Sequence, residues 1–421
     1  MDQFHIEGGR RLRGEVMIGG AKNAALPIMA ASLLTDQPCR IDSVPDLADV
    51  AHLTVLLEEL GVRVQREQGA LSLQTADESN SHARYDMVRK MRASVCVLGP
   101  LLAKRRSARV AMPGGCAIGP RPIDIHLRGL RALGAEIHLA EGDIVARADG
   151  GLKGAEVFLG GPFGSTVTGT ANVMMAAVLA TGTSVIECAA CEPEIQDLAK
   201  CLNGMGAKIS GAGTPRLVIE GVDSLGGAAH TVIPDRIEAG TFMIASAITN
   251  GEIRLSRARL DHMMAVVATL RQVGVIVEKS DGGAVVSSSR HLLPADVTTQ
   301  PYPGFPTDLQ AQLMALLCLA KGNSVIVEKI YPDRFLHVAE LGRMGADIRK
   351  EGPTAIVSGV SQLVGAPVMA SDLRASAAMV LAALAAEGRT IVQRVYHIDR
   401  GYERIERKLQ ALGAQIERVS V

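Results

Sequence analysis

The sequence lacks an excess of charge of either sign, because lysine plus arginine and aspartate plus glutamate each number 44 among 421 residues. Nucleic acids and anionic membranes attract basic surfaces, so this balance argues against both as partners, although a local cluster of cations could still bind a small polyanion. Long apolar runs are also missing: stretches such as SAAMVLAALAA reach about a dozen residues, and a bilayer span needs roughly 18. The N-terminal MDQFHIEGG has no apolar run, so no signal peptide is predicted and a cytoplasmic location is expected.

The cysteine spacing shows neither a disulfide framework nor a complete zinc site. The chain has seven cysteines, an odd number spread over its length, which does not fit the disulfide framework of a secreted domain. Cys188 and Cys191 form one Cys-x-x-Cys pair, but no second pair follows at zinc-site spacing, so core packing is favoured over a metal or redox role. Lys22 follows two glycines without the G-x-x-x-x-G-K-[ST] spacing of a phosphate loop, so ATP hydrolysis is not indicated. No metal, cofactor or obligate protein partner is expected.

What the sequence does contain is a sixfold repeat. A Leu/Met/Val-Gly-Ala/Val turn follows a helical pattern at intervals of 68 to 73 residues, with the glycines at Gly61, Gly134, Gly206, Gly274, Gly345 and Gly413. In four copies another glycine precedes this one by 23 to 25 residues: Gly182, Gly251, Gly322 and Gly388. Glycine is favoured just after a helix, where the backbone turns left-handed. We therefore expect each glycine to end a helix.

Each repeat is predicted to run helix, strand, helix, strand and one further strand. The apolar spacing in DLQAQLMALLCLAKG predicts a helix with one buried face. Six units of about 70 residues suggest an α/β protein of two pseudo-symmetric domains with three units each. The predicted domains are residues 22–231, and residues 1–21 together with 232–421.

A cation lies in the predicted first turn of several helices: Lys22, Arg92, Arg236 and Arg374. Cations are favoured at helix C-termini, so their recurrence at N-termini runs against the helix dipole. A bound anion would reverse that cost, because helix N-termini and cations both attract it. Internal duplication alone could also produce the recurrence. The pattern favours a polyanionic ligand where helix ends of the two domains converge.

Single residues offer further candidates, each with an alternative. Cys116 lies in PGGCAIGPRP, among glycines that permit loop movement and near Arg121; a neighbouring cation activates a thiol as nucleophile or acid. The alternative is a turn cysteine without a role. Asp308 and Asp372 each stand at a predicted helix start, where a carboxylate either serves the site or only caps the helix. Arg400 either binds an anion or forms a surface ion pair.

Several motifs resemble one family: GGAKNAALP, MRASV, PGGCAIGPRPID, FPTDLQAQ, and DLRASA with YHIDRGYERIE. They resemble the enolpyruvyl transferases that act on UDP-N-acetylglucosamine, and the likeness runs from about residue 1 to 419. It implies a two-domain inside-out α/β barrel of six units with its active site in the cleft. It also implies transfer of the enolpyruvyl group from phosphoenolpyruvate to the sugar 3-hydroxyl, with release of phosphate, at the first committed step of peptidoglycan synthesis.

The resemblance also implies residue roles. The phosphate of phosphoenolpyruvate would be held by Lys22, Arg121 and Arg400. The sugar would be contacted by Asn23 and Asp308, with Asp308 as candidate base. Cys116 would be the loop acid that can also add to phosphoenolpyruvate. The other expected substrate contacts, mainly to the uridine nucleotide, are Arg92, Pro122, Ile123, Asp124, Ile125, Thr166, Val167, Ile330, Asp372 and Arg374.

One stretch departs from the family pattern. In GPFGSTVTGTANV, residues 161–173, Gly164 stands where the family has a cation and Thr168 where it has a glycine. This leaves open an enolpyruvyl transferase for another nucleotide or sugar acceptor. The related enzyme for shikimate 3-phosphate, a non-catalytic sugar-nucleotide sensor of the same fold and a thiol peroxidase built on Cys116 are weaker alternatives.

Overall fold

A computed structural model describes residues 2–113, 123–289 and 291–420. These ranges fall into two compact units. The central unit holds the described residues of 20–233, and the terminal unit holds those of 2–19 and 234–420. The chain therefore leaves the terminal unit after Gly19 and returns to it at Pro234.

Short strands and helices alternate along the described ranges. The strands are β1 Asp2–Glu7, β2 Arg13–Met17, β3 Cys39–Asp42, β4 Val62–Glu67, β5 Ala70–Thr75, β6 His82–Ala83, β7 Ser107–Ala111, β8 Glu136–Ala140, β9 Asp143–Arg147, β10 Glu156–Phe158, β11 Thr183–Glu187, β12 Lys208–Ser210, β13 Arg216–Glu220, β14 Ala229–Thr231, β15 Glu252–Ser256, β16 Ile276–Ser280, β17 Gly283–Ser287, β18 Asp296–Thr298, β19 Asn323–Val327, β20 Asp347–Glu351, β21 Thr354–Ser358, β22 Pro367–Met369, β23 Arg389–Gln393 and β24 Gln415–Ser420.

The α-helices are α1 Lys22–Ala31, α2 Ala48–Glu59, α3 Tyr85–Val88, α4 Leu98–Arg105, α5 Asp124–Ala132, α6 Val167–Ala177, α7 Pro193–Gly204, α8 Arg236–Ile248, α9 Met264–Gln272, α10 Gln310–Leu317, α11 His337–Arg343, α12 Leu373–Ala385 and α13 Ile405–Ala411. The 3₁₀ helices are Ser32–Leu34, Arg92–Val97, Leu260–His262, Thr307–Leu309 and Val395–Arg400.

The described strands form six four-stranded sheets with one shared topology. In each sheet an edge strand pairs in parallel with its neighbour, and the remaining two pairings are antiparallel; the order β18-β19-β21-β20 is an example. Strands from a distant part of the chain complete some sheets: β14 joins β3 in the central unit, whereas β1 and β2 join β23 and β15 in the terminal unit. The sixfold repeat predicted from the glycine spacing is therefore a repeat of sheets.

The helices that begin the repeats lie inside their units, and the sheets cover them. Strands such as β19 and β21 alternate buried and partly exposed residues, as expected for a sheet with one face on a core. By contrast, all eight residues of α10 are buried, and so are all but the first residue of α8 and of α12. The prediction that α10 has one buried face is therefore wrong: α10 packs against α8 and α12 as well as against strands, which buries its polar side as well.

Most of the repeated glycines take the expected left-handed backbone. The six that end the second helix of each repeat have φ between 86° and 105°, and Gly182, Gly322 and Gly388 are also positive. Gly251 is the exception, because Asn250 takes the left-handed conformation instead, with φ 53°. A Cβ on Gly251 would meet the Leu12 carbonyl oxygen at 2.4 Å, so this glycine is required for close packing.

Aromatic residues are distributed unevenly. The chain has no tryptophan and five tyrosines. Tyr85 belongs to the central unit; the other four, Tyr302, Tyr331, Tyr396 and Tyr402, belong to the terminal unit. None of the helices in the described ranges is long and apolar enough to cross a membrane.

Candidate active site

Asp308 is held by two arginines in the terminal unit. It lies in the 3₁₀ helix Thr307–Leu309, just before α10. Arg334 donates from Nη1 to Asp308 Oδ1 at 2.8 Å, and Arg374 donates from Nη2 to Oδ2, also at 2.8 Å. The side chain of Asp308 is 26% exposed, whereas the arginines are 8% and 3% exposed. The alternative in which Asp308 only caps a helix is wrong, because the N-cap position belongs to Pro306 and the carboxylate faces the arginines.

These two cations determine the charge of Asp308. Burial by itself raises the pKa of Asp308, but the adjacent Arg374 and Arg334 guanidiniums outweigh it and hold the pKa well below its usual value. Asp308 is therefore an ionised hydrogen-bond acceptor at neutral pH. Each of its oxygens has a second lone pair that a substrate hydroxyl can use.

The start of α12 positions Arg374. Asp372 caps this helix by accepting from the backbone N–H groups of Arg374 at 2.8 Å and Ala375 at 3.1 Å. The guanidinium of Arg374 lies 5.4 Å from the centre of the Tyr402 ring, a cation–π distance. Asp372 therefore caps α12 and acts on the backbone that carries Arg374, while its predicted substrate contact stays a prediction.

Tyr402 belongs to a buried polar group that sequence reasoning missed. Its hydroxyl is 2.8 Å from Thr241 Oγ1 and accepts from Gln312 Nε2 at 3.1 Å. Gln312 Nε2 also donates to the backbone carbonyl of Asp308 at 2.8 Å. A glutamine in an apolar helix was the available signal, because a buried amide needs partners.

Two other predicted residues of the terminal unit lie in short connections. Arg400 ends the 3₁₀ helix Val395–Arg400 and is half-buried. Burial, together with the nearby Arg400, lowers the pKa of His397. Ile330 follows β19, and its N–H donates to Glu328 Oε1 at 2.8 Å.

In the central unit, Lys22 and Asn23 are the first two residues of α1. Lys22 Nζ donates to Asp49 Oδ2 at 3.0 Å, and the two side chains are 10% and 3% exposed. Asn23 is exposed. Asp49, in the first turn of α2, is a second residue that sequence reasoning missed, since its position suggests only a favourable charge at a helix start.

The predicted nucleotide contacts of the central unit lie where three helices begin. Arg92 opens the 3₁₀ helix Arg92–Val97, Asp124 opens α5, and Val167 opens α6. Thr166 caps α6 by accepting from the N–H of Gly169 at 3.2 Å. Ile123 is buried, and Ile125 is half-buried.

A buried histidine joins two of these helix starts. His126 is 1% exposed; its Nδ1 is 3.0 Å from Asn172 Nδ2, and its Nε2 is 3.2 Å from Thr168 Oγ1. The amide nitrogen of Asn172 also donates to the Val95 carbonyl at 2.9 Å. Because Asn172 donates to Nδ1, the proton of neutral His126 is assigned to Nε2 and bonds Thr168. The first turns of α5 and α6 are thus connected.

The chain is similar to known proteins over nearly its whole length. Residues 6–409 match the family described as EPSP synthase (3-phosphoshikimate 1-carboxyvinyltransferase). Two proteins named UDP-N-acetylglucosamine 1-carboxyvinyltransferase, from Granulibacter bethesdensis and Dinoroseobacter shibae, are each 55% identical over 422 aligned residues, covering 100% of this chain and at least 99% of theirs.

This chain belongs to the enolpyruvyl transferase family.

Solved structures show the same fold for this enolpyruvyl transferase. The enolpyruvyl transferase NikO from Streptomyces tendae superposes with a TM-score of 0.90 at 24% identity, covering 100% of this chain and 99% of that one. EPSP synthase from Acinetobacter baumannii gives a TM-score of 0.76 at 18% identity, with full coverage of both chains. The predicted inside-out α/β architecture is confirmed.

The stretch that departs from the family pattern has a local explanation in this enolpyruvyl transferase. Gly161 and Gly164 bond to each other through both backbone N–H groups, at 2.9 and 3.1 Å, which closes a two-residue turn over Pro162 and Phe163. Gly164 has φ 98°, a conformation that a lysine or arginine adopts only with strain. A lysine or arginine at position 164 would therefore be strained in this turn.

Three predicted residues, Cys116, Arg121 and Pro122, lie outside the described residues. The six described cysteines are free; Cys188 and Cys191 are half-buried and not in the core as expected. Across residues 2–113, 123–289 and 291–420, no group of three or more His, Cys, Asp and Glu side chains could hold a metal ion.

Proposed function

We propose that this enolpyruvyl transferase transfers the enolpyruvyl group of phosphoenolpyruvate to the 3-hydroxyl of UDP-N-acetylglucosamine and releases phosphate, the first committed step of peptidoglycan synthesis. The observation that carries the proposal is the 55% identity, over 422 aligned residues, to proteins named for this activity. The cytoplasmic location expected from the sequence stays a prediction.

Asp308 is proposed to orient the sugar hydroxyl and accept its proton. Its support is the ionised carboxylate between Arg334 and Arg374. A carboxylate with a lowered pKa is a weak base, so proton transfer requires the hydroxyl oxygen to be forming its new bond at the same time. The two arginines hold the carboxylate in a fixed orientation for this proton transfer.

A cationic cradle is proposed for the phosphate of phosphoenolpyruvate, formed by Lys22, Arg121 and Arg400. The start of α1 supports Lys22 in this role, because unpaired N–H groups at a helix N-terminus favour an anion. Asp49 holds the ammonium group in place before the anion binds. The same cations stabilise the phosphate as it leaves.

Cys116 is proposed as the acid that delivers a proton to the methylene carbon of phosphoenolpyruvate, and as the thiol that can add to it. The support is the sequence PGGCAIGPRP, in which glycines permit movement and Arg121 follows the thiol. Arg92, Pro122 to Ile125, Thr166, Val167 and Ile330 are proposed to contact the nucleotide.

A phosphate-release assay tests the function. The protein is incubated with phosphoenolpyruvate and, in turn, UDP-N-acetylglucosamine, UMP and shikimate 3-phosphate. We expect release with UDP-N-acetylglucosamine at least 100-fold above the other two. Release chiefly with UMP or shikimate 3-phosphate would assign a different acceptor, and binding of the sugar nucleotide without any release would identify a sensor.

A further inference from the structure

Glu328 is a fully buried carboxylate, 0% exposed, that follows β19 and has no role in the proposed function. Its Oε1 accepts from Thr299 Oγ1 at 2.5 Å, from the N–H of Ile330 at 2.8 Å and from the N–H of Tyr331 at 3.0 Å. Its Oε2 accepts from Thr307 Oγ1 at 2.9 Å. A buried carboxyl group is tolerated only with such partners, and the bonds of Glu328 hold Thr299, Thr307 and the backbone of residues 330–331 to one another.

These bonds connect two parts of the candidate site. On one side lies the turn that carries Ile330. On the other lies Thr307, the neighbour of Asp308, and Arg334 Nη1 donates both to Thr307 Oγ1 at 3.0 Å and to Asp308 Oδ1 at 2.8 Å. The Thr307 hydroxyl has one proton. Because it gives that proton to Glu328, its lone pairs are directed to Arg334, and the bonds run in one direction from Arg334 to Glu328.

We propose that Glu328 is a positioning residue for the transfer reaction, an inference that rests on the proposed function. Its carboxylate fixes the backbone of residues 330–331 and, through Thr307 and Arg334, the orientation of the Asp308 carboxylate. The sugar nucleotide depends on both, whereas the phosphate cradle lies elsewhere in the sequence.

Glutamine at this position removes one acceptor. Its amide oxygen can replace Oε1 toward the backbone N–H groups, but its amide nitrogen then faces Thr307 and must donate. The Thr307 hydroxyl then accepts both there and from Arg334, and its own proton loses the Glu328 carboxylate as its acceptor, so the one-way run of bonds from Arg334 to Glu328 is broken. We expect Glu328→Gln to lower kcat at least tenfold and to weaken UDP-N-acetylglucosamine binding severalfold, with the KM for phosphoenolpyruvate changed less than twofold.

Substitutions of Thr307 test the same connection independently. Thr307→Val removes the same connection and should give the same split between the two substrates, whereas Thr307→Ser keeps the hydroxyl and should retain at least half of wild-type kcat. The double variant Glu328→Gln/Thr307→Val should lose no more than the worse single variant, because both break one chain of bonds. Ser246→Ala, which removes a buried hydroxyl bond to the Val286 carbonyl in the same unit, is the matched control and should keep wild-type kinetics.

Steady-state kinetics, calorimetric binding of UDP-N-acetylglucosamine and thermal unfolding are measured for every variant. Wild-type kcat and unchanged binding in Glu328→Gln would overturn the inference, and so would multiplicative losses in the double variant or an equal loss in Ser246→Ala. If Glu328→Gln does not fold, the valine and serine variants of Thr307 decide. If wild type releases phosphate with another acceptor, the variants are compared on that one; if wild type releases none, the proposed function fails and this inference falls with it.

Discussion

At the residue scale, Asp308 shows what a motif can and cannot predict. The carboxylate could be chosen from FPTDLQAQ, but its two partners lie 26 and 66 residues further along the chain. No local pattern pairs residues at such distances, because the fold brings them together. The same holds for Lys22 with Asp49 and for Tyr402 with Thr241.

We predict that Asp308→Asn retains substrate binding and loses turnover by about 10²-fold or more, the usual effect of removing a general base. The amide can still accept a hydrogen bond, but it cannot take the hydroxyl proton. Rates with both substrates saturating, together with calorimetric binding, measure the two effects. Near-normal turnover would mean that the reaction needs neither the charge of Asp308 nor its acceptance of the hydroxyl proton.

Thiol labelling tests Cys116 against the described cysteines. Burial raises the pKa of Cys96, Cys201 and Cys318 to about 12, and it also raises the pKa of Cys39 and Cys191. Raised pKa values leave little thiolate at neutral pH, so these five should alkylate slowly. Brief treatment followed by peptide mass spectrometry should therefore find the label first on Cys116. Early label on the half-buried Cys188 or Cys191 with Cys116 unmodified contradicts the assignment.

At the element scale, helix ends were predictable and helix surroundings were not. The left-handed glycines follow from the backbone alone, and the sequence identifies them. The burial of α10 does not follow from its pattern, because its polar positions are Gln310 and Gln312, which an amphipathic reading places toward solvent. Because other helices enclose α10, both glutamines are buried. Gln312 donates to the backbone carbonyl of Asp308 and so helps to position that residue.

Thr168 tests whether the link between α5 and α6 serves nucleotide binding. Thr168→Val keeps the shape and removes the bond to His126, so we expect a threefold to tenfold rise in the KM for UDP-N-acetylglucosamine with an unchanged KM for phosphoenolpyruvate. Thr168→Ser keeps the hydroxyl and is the matched control. Equal changes in both KM values would show a general structural role.

At the scale of the whole molecule, the repeat predicted six similar units, and six sheets of one topology confirm it. Sequence spacing did not predict which strands complete which sheets. Gln3 pairs with Gln393, and Arg13 pairs with Glu252, across hundreds of residues. Such pairings form only when distant parts of the chain meet in the folded unit, so no local sequence pattern predicts them.

Stability should fall in acid partly through His337. Burial lowers the pKa of this histidine from 6.5 to about 4, so the folded state keeps it neutral where the unfolded chain is protonated. Its contribution is present above about pH 6.5 and is lost as pH falls toward 4, at most about 3 kcal/mol over that window. Unfolding midpoints measured from pH 7 to pH 4 should therefore decline less steeply in His337→Leu than in wild type. Parallel curves contradict the prediction.

The placement of the tyrosines has a spectroscopic consequence. Without tryptophan, intrinsic ultraviolet emission comes from tyrosine, and four of the five tyrosines belong to the terminal unit. A denaturation curve followed by this emission therefore reports mainly the melting of that unit. A single tryptophan introduced in the central unit, for example Phe158→Trp at a site 61% exposed, would give the other unit a fluorophore excited at a wavelength of its own.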